Sequence, residues 1–335
     1  MTIGLIDVDG HNFPNLALMR ISAYHKSIGD SVEWYQPPMF QPWYNIVYAS
    51  KVFSDAYSPD YDWTSVTNAG EIRKGGTGYC INLGADGKEH FDQSKNVSLS
   101  PEIEAMFPDY SIYPQFPFAV AMTSRGCPRG CAFCHVAAKE GKCAVKVADV
   151  SDFWRPSKSG KIWRRGRFVY GQPTIQVMDP NITACREKRD LFRQYRETGA
   201  KIEFNQGLDI RLLNDADIED INAMDVQKIH FAWDQTDVDL TAKFENYQRK
   251  TNKRVKGSYG TVYCLTNFDD CSVEEHVRRA LWRIYTLRDM KFDPYLMIYD
   301  KPHAPKILRD MQRWCNNKRI FKSCPKFEDY DRRKG

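Results

Sequence analysis

No run of about 18 apolar residues occurs in the 335 residues, so no stretch of the sequence is suited to cross a bilayer as a helix. An internal repeat and a low-complexity tract are also missing, which sets aside solenoids and compositionally biased linkers. The first residues, Met1-Thr-Ile-Gly-Leu-Ile-Asp7, lack the basic start, apolar stretch and small-residue cleavage site of a signal peptide. They read instead as a buried first strand. With no export signal, the ten cysteines are expected as reduced thiols in a cytoplasmic protein. There is no second paired C-x2-C, so neither a disulfide framework nor a two-knuckle zinc module is expected.

What is present is ordinary globular composition, 42% hydrophobic and 27% charged, which supplies a real core. The net charge of +5 hides a split. Residues 1–118 carry 7 Lys/Arg against 14 Asp/Glu, or −7, while residues 301–335 carry 11 against 4, or +7. A basic later part points to an anionic partner, with RNA or a nucleotide as the first expectation. The plainer reading is a dipolar surface that aids solubility.

Apolar patterning places a strand at Ile3 to Val8 and a turn at Asp9-Gly10. Leu16 to Ile28 reads as an amphipathic helix with Leu16, Met19, Ala23 and, less neatly, Ile28 on its inner face and Gly29 at its end. Further strands are expected at Val32 to Tyr35 and Ile46 to Val52, giving a small parallel α/β domain over 1–105. The four prolines and four aromatics of Pro101 to Pro117 read as an extended surface linker, with 106–117 as its linking part. Strand and helix then alternate again over 118–300, with strands at 118–124, 174–179, 201–205, 228–233, 259–265 and 294–299. Helices are expected over Cys185 to Thr198 and Val273 to Met290. The fold class is thus α/β: an incomplete (β/α)6 TIM-like barrel preceded by a small flavodoxin-like domain and followed by a basic C-terminal extension, 301–335. In such barrels the residues just past the strand C-termini build the site.

The segment Thr123-Ser-Arg-Gly-Cys127-Pro-Arg-Gly-Cys131-Ala-Phe-Cys134-His135 starts directly after the first of those strands. Gly126 and Gly130 permit backbone angles and close approach that side chains would block. Three thiolates on one short loop can wrap one face of a 4Fe–4S cluster, which ordinarily takes four cysteines, leaving one iron open. This C-x3-C-x2-C loop resembles that of the radical S-adenosylmethionine superfamily. The resemblance implies that Cys127, Cys131 and Cys134 hold the cluster and that the open iron binds the methionine end of S-adenosylmethionine. It also implies that Phe133 lies near the adenine, and that a flavodoxin or ferredoxin donates electrons. The competing reading is structural zinc on the three cysteines with His135 or Cys143.

Past the second strand stands Met178-Asp179-Pro-Asn181, where the resemblance places a carboxylate for the cofactor's amino group; the usual glycines are absent. The third strand ends Phe204-Asn205-Gln206-Gly207-Leu-Asp209-Ile-Arg211. Polar residues straight after an apolar strand are costly if buried idle. The expected cofactor-binding set is Phe133, Asp179, Asn181, Gln206, Arg211 and Asp234, with Arg211 on the cofactor carboxylate and Asp234 on the ribose. Helix caps or loop hydrogen bonds would account for the same residues.

Between Arg155 and Arg167 lie six basic residues interleaved with Trp154 and Trp163, and no acid occurs between Asp152 and Asp179. Such a loop suits phosphates and stacked bases, or simply solvent. Cys264, Cys271, Cys315 and Cys324 match no compact ligand loop and read as free thiols. His25, His90, His230, His276 and His303 read as carrying no chemistry.

The first 105 residues resemble the cobalamin-binding domains that precede the barrel in one branch of the superfamily. Asp9-Gly10-His11 is similar to an Asp-x-His loop, Ser50-Lys-Val52 to a Ser-x-Leu turn, and Gly75-Gly76 to a later glycine pair. The resemblance implies a cobalamin site, or a domain that kept the fold without the cofactor; Pro14 stands where glycine is usual. The expected activity is reductive cleavage of S-adenosylmethionine followed by hydrogen abstraction from an anionic substrate. The alternative is a non-catalytic, metal-stabilised nucleic-acid-binding module.

Overall fold

The computed structural model describes residues 1–39, 43–156, 162–164, 167–169 and 172–333, with the backbone alone for 162–164 and 167–169. The chain divides into two compact units, Met1–Ile175 and Gln176–Gly335. Both are mixed α/β.

The first unit opens with β1 (Thr2–Asp7), α1 (Leu16–Ser27), β2 (Ser31–Trp34), β3 (Tyr44–Ser50) and β4 (Ala69–Gly75), a parallel sheet in the order β2-β1-β3-β4. β1 is buried on both faces, which is why Ile3 to Ile6 reads as a continuous run rather than an alternation. One face packs Ile3, Leu5 and Tyr48 against Leu18 and Ile21 of α1; the other gathers Ile6, Tyr44, Val47 and Ala49. Asn15 caps α1 by accepting from the Leu18 N–H at 3.2 Å, and Gly29, at φ +87°, follows its end.

The inner face of α1 is the expected one at Met19 but not elsewhere, and Ile28, past the helix end, is exposed. Leu18, Met19, Arg20, Ile21, Ser22 and His25 are buried, while Leu16 and Ala23 are only half-buried. The reason is that the helix is covered on its outer side as well. Ser22 Oγ and Lys26 Nζ both donate to Asp109 Oδ2, at 2.7 and 2.6 Å, and Arg20 pairs with Glu104. The covering residues belong to the stretch expected as a surface linker. It contains α2 (Pro101–Glu104), and Tyr113 is 1% exposed with its hydroxyl on Asp7. Tyr110 Oη donates to the Phe153 carbonyl at 2.7 Å. Prolines need no hydrogen-bond partner for a missing N–H, and the aromatics bury well, so the stretch becomes a strap.

Beyond β4 lie the antiparallel ribbon β5 (Ile81–Leu83) and β6 (Glu89–Phe91). Past the strap come β7 (Phe118–Ala121), β8 (Ser124–Arg125), α3 (Val136–Glu140) and β9 (Val145–Lys146). The antiparallel pair β10 (Ile162–Arg164) and β11 (Arg167–Val169) follows, and β12 (Thr174–Val177) stands at the division between the units.

The second unit alternates strand and helix. It holds α4 (Lys188–Thr198), β13 (Lys201–Phe204), α5 (Asp215–Ala223), β14 (Asp225–Lys228), β15 (His230–Ala232), α6 (Thr241–Lys250), β16 (Thr261–Thr266), α7 (Val273–Asp289), β17 (Asp293–Ile298), α8 (Lys306–Asn316) and α9 (Lys318–Ser323). The expected strand over 228–233 is two strands broken at Ile229. β15, β16 and β17 are parallel neighbours, and β14 lies beside β13. A parallel bridge from Leu208 to Phe231 continues the pairing from the end of β13 to β15.

The basic segment 301–335 is no appendage. Leu308, Met311, Trp314 and Cys315 of α8 are buried. Asn316 Oδ1 accepts from the Leu296 N–H at 2.8 Å, and Gln312 Nε2 donates to the Leu296 carbonyl at 3.1 Å, so α8 covers the outer edge of β17. Among the described residues, no helix is long and apolar enough to cross a membrane.

Candidate functional site

The cysteine loop is pinched shut at its base. β8 and β9 pair antiparallel, Ser124 with Lys146 and Arg125 with Val145, and the Val147 N–H donates to the Thr123 carbonyl at 2.9 Å. Between them the chain runs through all three clustered cysteines and α3. The Cys127 N–H donates to the Gly141 carbonyl at 3.1 Å, and the Cys134 N–H to the Cys131 carbonyl at 2.9 Å. Glu104 receives Arg125 at 3.1 and 3.2 Å, tying the loop's base to α2.

Glycine is required at two points of this loop. Gly126 sits at φ +85°, and a Cβ there would stand 2.1 Å from the Cys143 carbonyl oxygen. The backbone of 126 and that of 143 therefore touch, as the sequence reading of Gly126 anticipates. Gly130, at φ +56°, faces open space and needs glycine for its backbone angle alone.

The loop brings three thiol donors into one short stretch, the donor type that either an iron–sulfur cluster or a zinc ion would use. Cys127 and Cys131 are half-buried and Cys134 is exposed. Zinc–sulfur bonds of about 2.3 Å would draw tetrahedral thiolates to within about 4 Å of one another. Among the described residues, the one group of three potential ligands whose donor atoms all lie within 4.8 Å is Asp269, Cys271 and His276, not the loop cysteines. His135, offered as a fourth zinc ligand, turns its Nε2 to Glu89 at 3.6 Å.

In the second unit the expected cofactor residues lie past the strand ends. Asp179 and Asn181, after β12, are 3% and 4% exposed. Asn181 Oδ1 accepts from Thr183 Oγ1 at 2.7 Å, and Thr183 Oγ1 accepts from the Asp209 N–H at 3.0 Å. Gln206 is exposed. Arg211 is held by Asp209 through Nε at 2.6 Å and Nη2 at 3.1 Å, and its Nη1 donates to Gln235 at 2.8 Å. A cofactor carboxylate on Arg211 would therefore share it with Asp209.

Asp234 Oδ1 accepts from the Leu265 N–H at 2.9 Å. Burial pushes the Asp234 carboxyl up; that N–H and the cations Arg283 and Arg211 oppose the shift. Arg283 is fully buried and donates to the carbonyls of Trp233 and Leu265, at 2.5 and 2.9 Å, locking the ends of β15 and β16 together. Arg279 extends this belt, reaching Thr236 Oγ1 at 3.1 Å and Asp269 Oδ2 at 2.8 Å. One run of polar groups thus crosses the C-terminal ends of β13, β15 and β16. The sequence shows these residues one strand at a time and cannot show that they touch.

At the N-terminal sheet, Asp9 Oδ2 accepts from the Val52 N–H at 2.5 Å, and His11 lies against Trp34 with ring centroids 4.1 Å apart. Cβ atoms at Gly76 and Gly78 would stand 2.2 Å from the Lys51 carbonyl oxygen and 2.1 Å from that of Phe53. The turn after β3 fills the space beside Gly76 and Gly78, whereas Gly75, the other member of the expected glycine pair, faces open space.

The basic loop expected over 155–167 falls largely outside the described side chains. Of those described, Arg155 packs over the Phe107 ring at 4.3 Å. In 301–335 part of the positive charge is paired: Lys306 and Arg332 with Asp310, Lys318 with Asp293, and Arg333 with Asp331. No protein-family model matches the chain, and no curated protein matches it.

Proposed function

We propose that this chain is a radical S-adenosylmethionine enzyme whose Cys127, Cys131 and Cys134 hold a 4Fe–4S cluster. The observation that carries the reading is the C-x3-C-x2-C loop closed at its base by β8 and β9, with Gly126 set against Cys143. Held by Cys127, Cys131 and Cys134, such a cluster would supply the one-electron reduction that splits S-adenosylmethionine to methionine and a 5′-deoxyadenosyl group able to take hydrogen from a substrate. The electron comes from a flavodoxin or ferredoxin.

The chain's own residues bind and orient. Each of the three thiolates anchors one iron, and Phe133 offers a ring to the adenine. Asp179 and Asn181 are buried polar groups at a strand end, suited to the cofactor's amino group. Gln206 is exposed just past the end of β13. Arg211, already fixed by Asp209 and Gln235, presents a rigid guanidinium to a carboxylate. Asp234 serves ribose hydroxyls.

In this reading the first sheet, in the order β2-β1-β3-β4, is a flavodoxin-like domain that has kept its fold without cobalamin. The same reading takes the later strands as an incomplete (β/α)6 barrel, a reading that the parallel neighbours β15, β16 and β17 support. The substrate is anionic, with a nucleotide or RNA as the favoured class, on the strength of the charge split.

Anaerobic reconstitution with iron and sulfide tests the reading. The expected protein is brown and yields 5′-deoxyadenosine from S-adenosylmethionine under reduction, and Cys131→Ala loses that yield. A Cys131→Ala variant that matches the parent rate would overturn it.

A further inference from the structure

We propose that Asp269, Cys271 and His276 form a second, separate metal site that takes a zinc-class divalent cation. The three residues lie within eight positions of sequence, on the loop after β16 and the first turn of α7. Their donor atoms form a triangle. Cys271 Sγ is 3.7 Å from Asp269 Oδ1 and 3.4 Å from His276 Nδ1, and that nitrogen is 3.5 Å from the same carboxylate oxygen.

Those lengths are what a tetrahedral ion asks for. Bonds of about 2.3 Å to sulfur and about 2.0–2.1 Å to nitrogen and oxygen, at the tetrahedral angle, put neighbouring donors about 3.3–3.6 Å apart. The observed triangle needs adjustments of tenths of an ångström. Sγ lies almost as near Nε2, at 3.5 Å, so a turn of the ring about its Cβ–Cγ bond completes the aim of Nδ1.

The donor chemistry selects the ion. One thiolate, one imidazole and one carboxylate make a mixed set that suits zinc, whereas magnesium and calcium favour oxygen alone. The surroundings hold the ligands as such sites require. Asp269 Oδ2 is taken by Arg279 at 2.8 Å, leaving Oδ1 turned to the other two donors. Arg279 is fixed in turn by Glu275 at 2.6 Å and Thr236 at 3.1 Å. His276 is 5% exposed, so packing sets its ring, whereas the Asp269 side chain is 46% exposed. The ion therefore has an entry path and a fourth position open to water, the pattern of a site that activates water or binds a ligand. No cysteine pair signals this site; its spacing, Asp-x-Cys-x4-His, closes only because the first turn of α7 brings His276 back over the loop.

The experiment separates this site from the cysteine loop. The full chain carrying Cys127→Ala, Cys131→Ala and Cys134→Ala together is loaded with zinc, desalted and assayed for metal. One zinc per chain is expected, falling to background when Cys271→Ser is added. Asp269→Asn and Arg279→Gln, in the same background, should each weaken binding about 10–100-fold. Cobalt in place of zinc should show a thiolate charge-transfer absorption that Cys271→Ser abolishes, with circular dichroism confirming that the variant is folded. A triple variant that holds no zinc, or zinc and cobalt signals untouched by Cys271→Ser, would overturn the site. Because the loop thiols are absent throughout, neither result depends on radical chemistry.

Discussion

Tyr113 donates its hydroxyl hydrogen to Asp7 Oδ2 across 2.6 Å, joining the strap to the C-terminal end of β1. Burial pushes the Asp7 carboxyl up to about 6; the Tyr113 bond opposes that shift and the nearby Asp9 adds to it. A carboxyl whose folded value is raised favours the protonated native state. Its contribution to stability is complete below its unfolded value, near 3.8, and is lost as pH rises through about 6. A shift of about two units corresponds to about 3 kcal/mol. Asp7→Asn should therefore unfold at a higher temperature than the parent at pH 8 and at the same temperature near pH 4. Parallel melting curves at both pH values would remove Asp7 as the cause.

Gly126→Ala places a methyl group against the Cys143 carbonyl and strains a positive φ. The left-handed angle alone costs roughly 1–2 kcal/mol, and the contact with rigid backbone adds to it. Iron loading should fall sharply while far-ultraviolet circular dichroism stays near that of the parent. Normal iron content in the variant would show that the loop has freedom to move.

Glu104 lies between Arg20, which is buried, and Arg125 at the base of the cysteine loop. Glu104→Gln removes the charge between two cations. Breaking such a pair costs about 3 kcal/mol when a buried charge is left uncompensated, so the melting temperature should drop by several degrees. Added salt should recover part of the loss by screening the arginines.

Asp234→Ala should weaken S-adenosylmethionine binding about tenfold while leaving iron content unchanged, since a hydrogen bond to a charged group is worth about 1.5–3 kcal/mol. Calorimetry on the reconstituted protein measures it. Equal affinity in parent and variant would take Asp234 out of the pocket.

If the anionic substrate is RNA, neutralising Arg164, Arg165 and Arg167 should flatten the salt dependence of binding by up to about three contacts. Trp163→Ala should cost about 1–3 kcal/mol without changing the slope, because stacking releases no counterions. Filter binding across a salt series decides it; a weak, flat response would point to a small anionic substrate instead.

What the sequence discloses here is what neighbours in sequence decide. The apolar run of β1, the cap at Asn15, Gly29 after α1 and the positive φ of Gly126 all follow from a few adjacent residues. Strands β12, β13, β16 and β17 lie within two residues or so of where patterning puts them. The buried face of α1 is legible only in part, because its outer cover comes from residues more than 80 positions away, Glu104 and Asp109. The strap looks like surface in the sequence because prolines mark loops whether or not a loop is buried. His276 looks like an isolated histidine, and Cys271 like a bare thiol, because their meeting depends on one helical turn and on Asp269. Arg211 and Asp234 stand out as polar residues at strand ends, but the partners Gln235 and Leu265 are long-range facts that no local pattern carries.

The two-rung ribbon of β8 and β9 also has a thermodynamic meaning. Bringing the ends of a loop of nearly twenty residues together is an entropic loss that grows with the logarithm of its length. That loss is met once, during folding, by the ribbon, the Cys127–Gly141 hydrogen bond and the anchor of Arg125 on Glu104. A ligand arriving later at the thiols orders a ring that is already closed, so its affinity reflects bond formation rather than chain gathering. Severing the ribbon would shift that burden to the ligand and make occupancy depend on loop length.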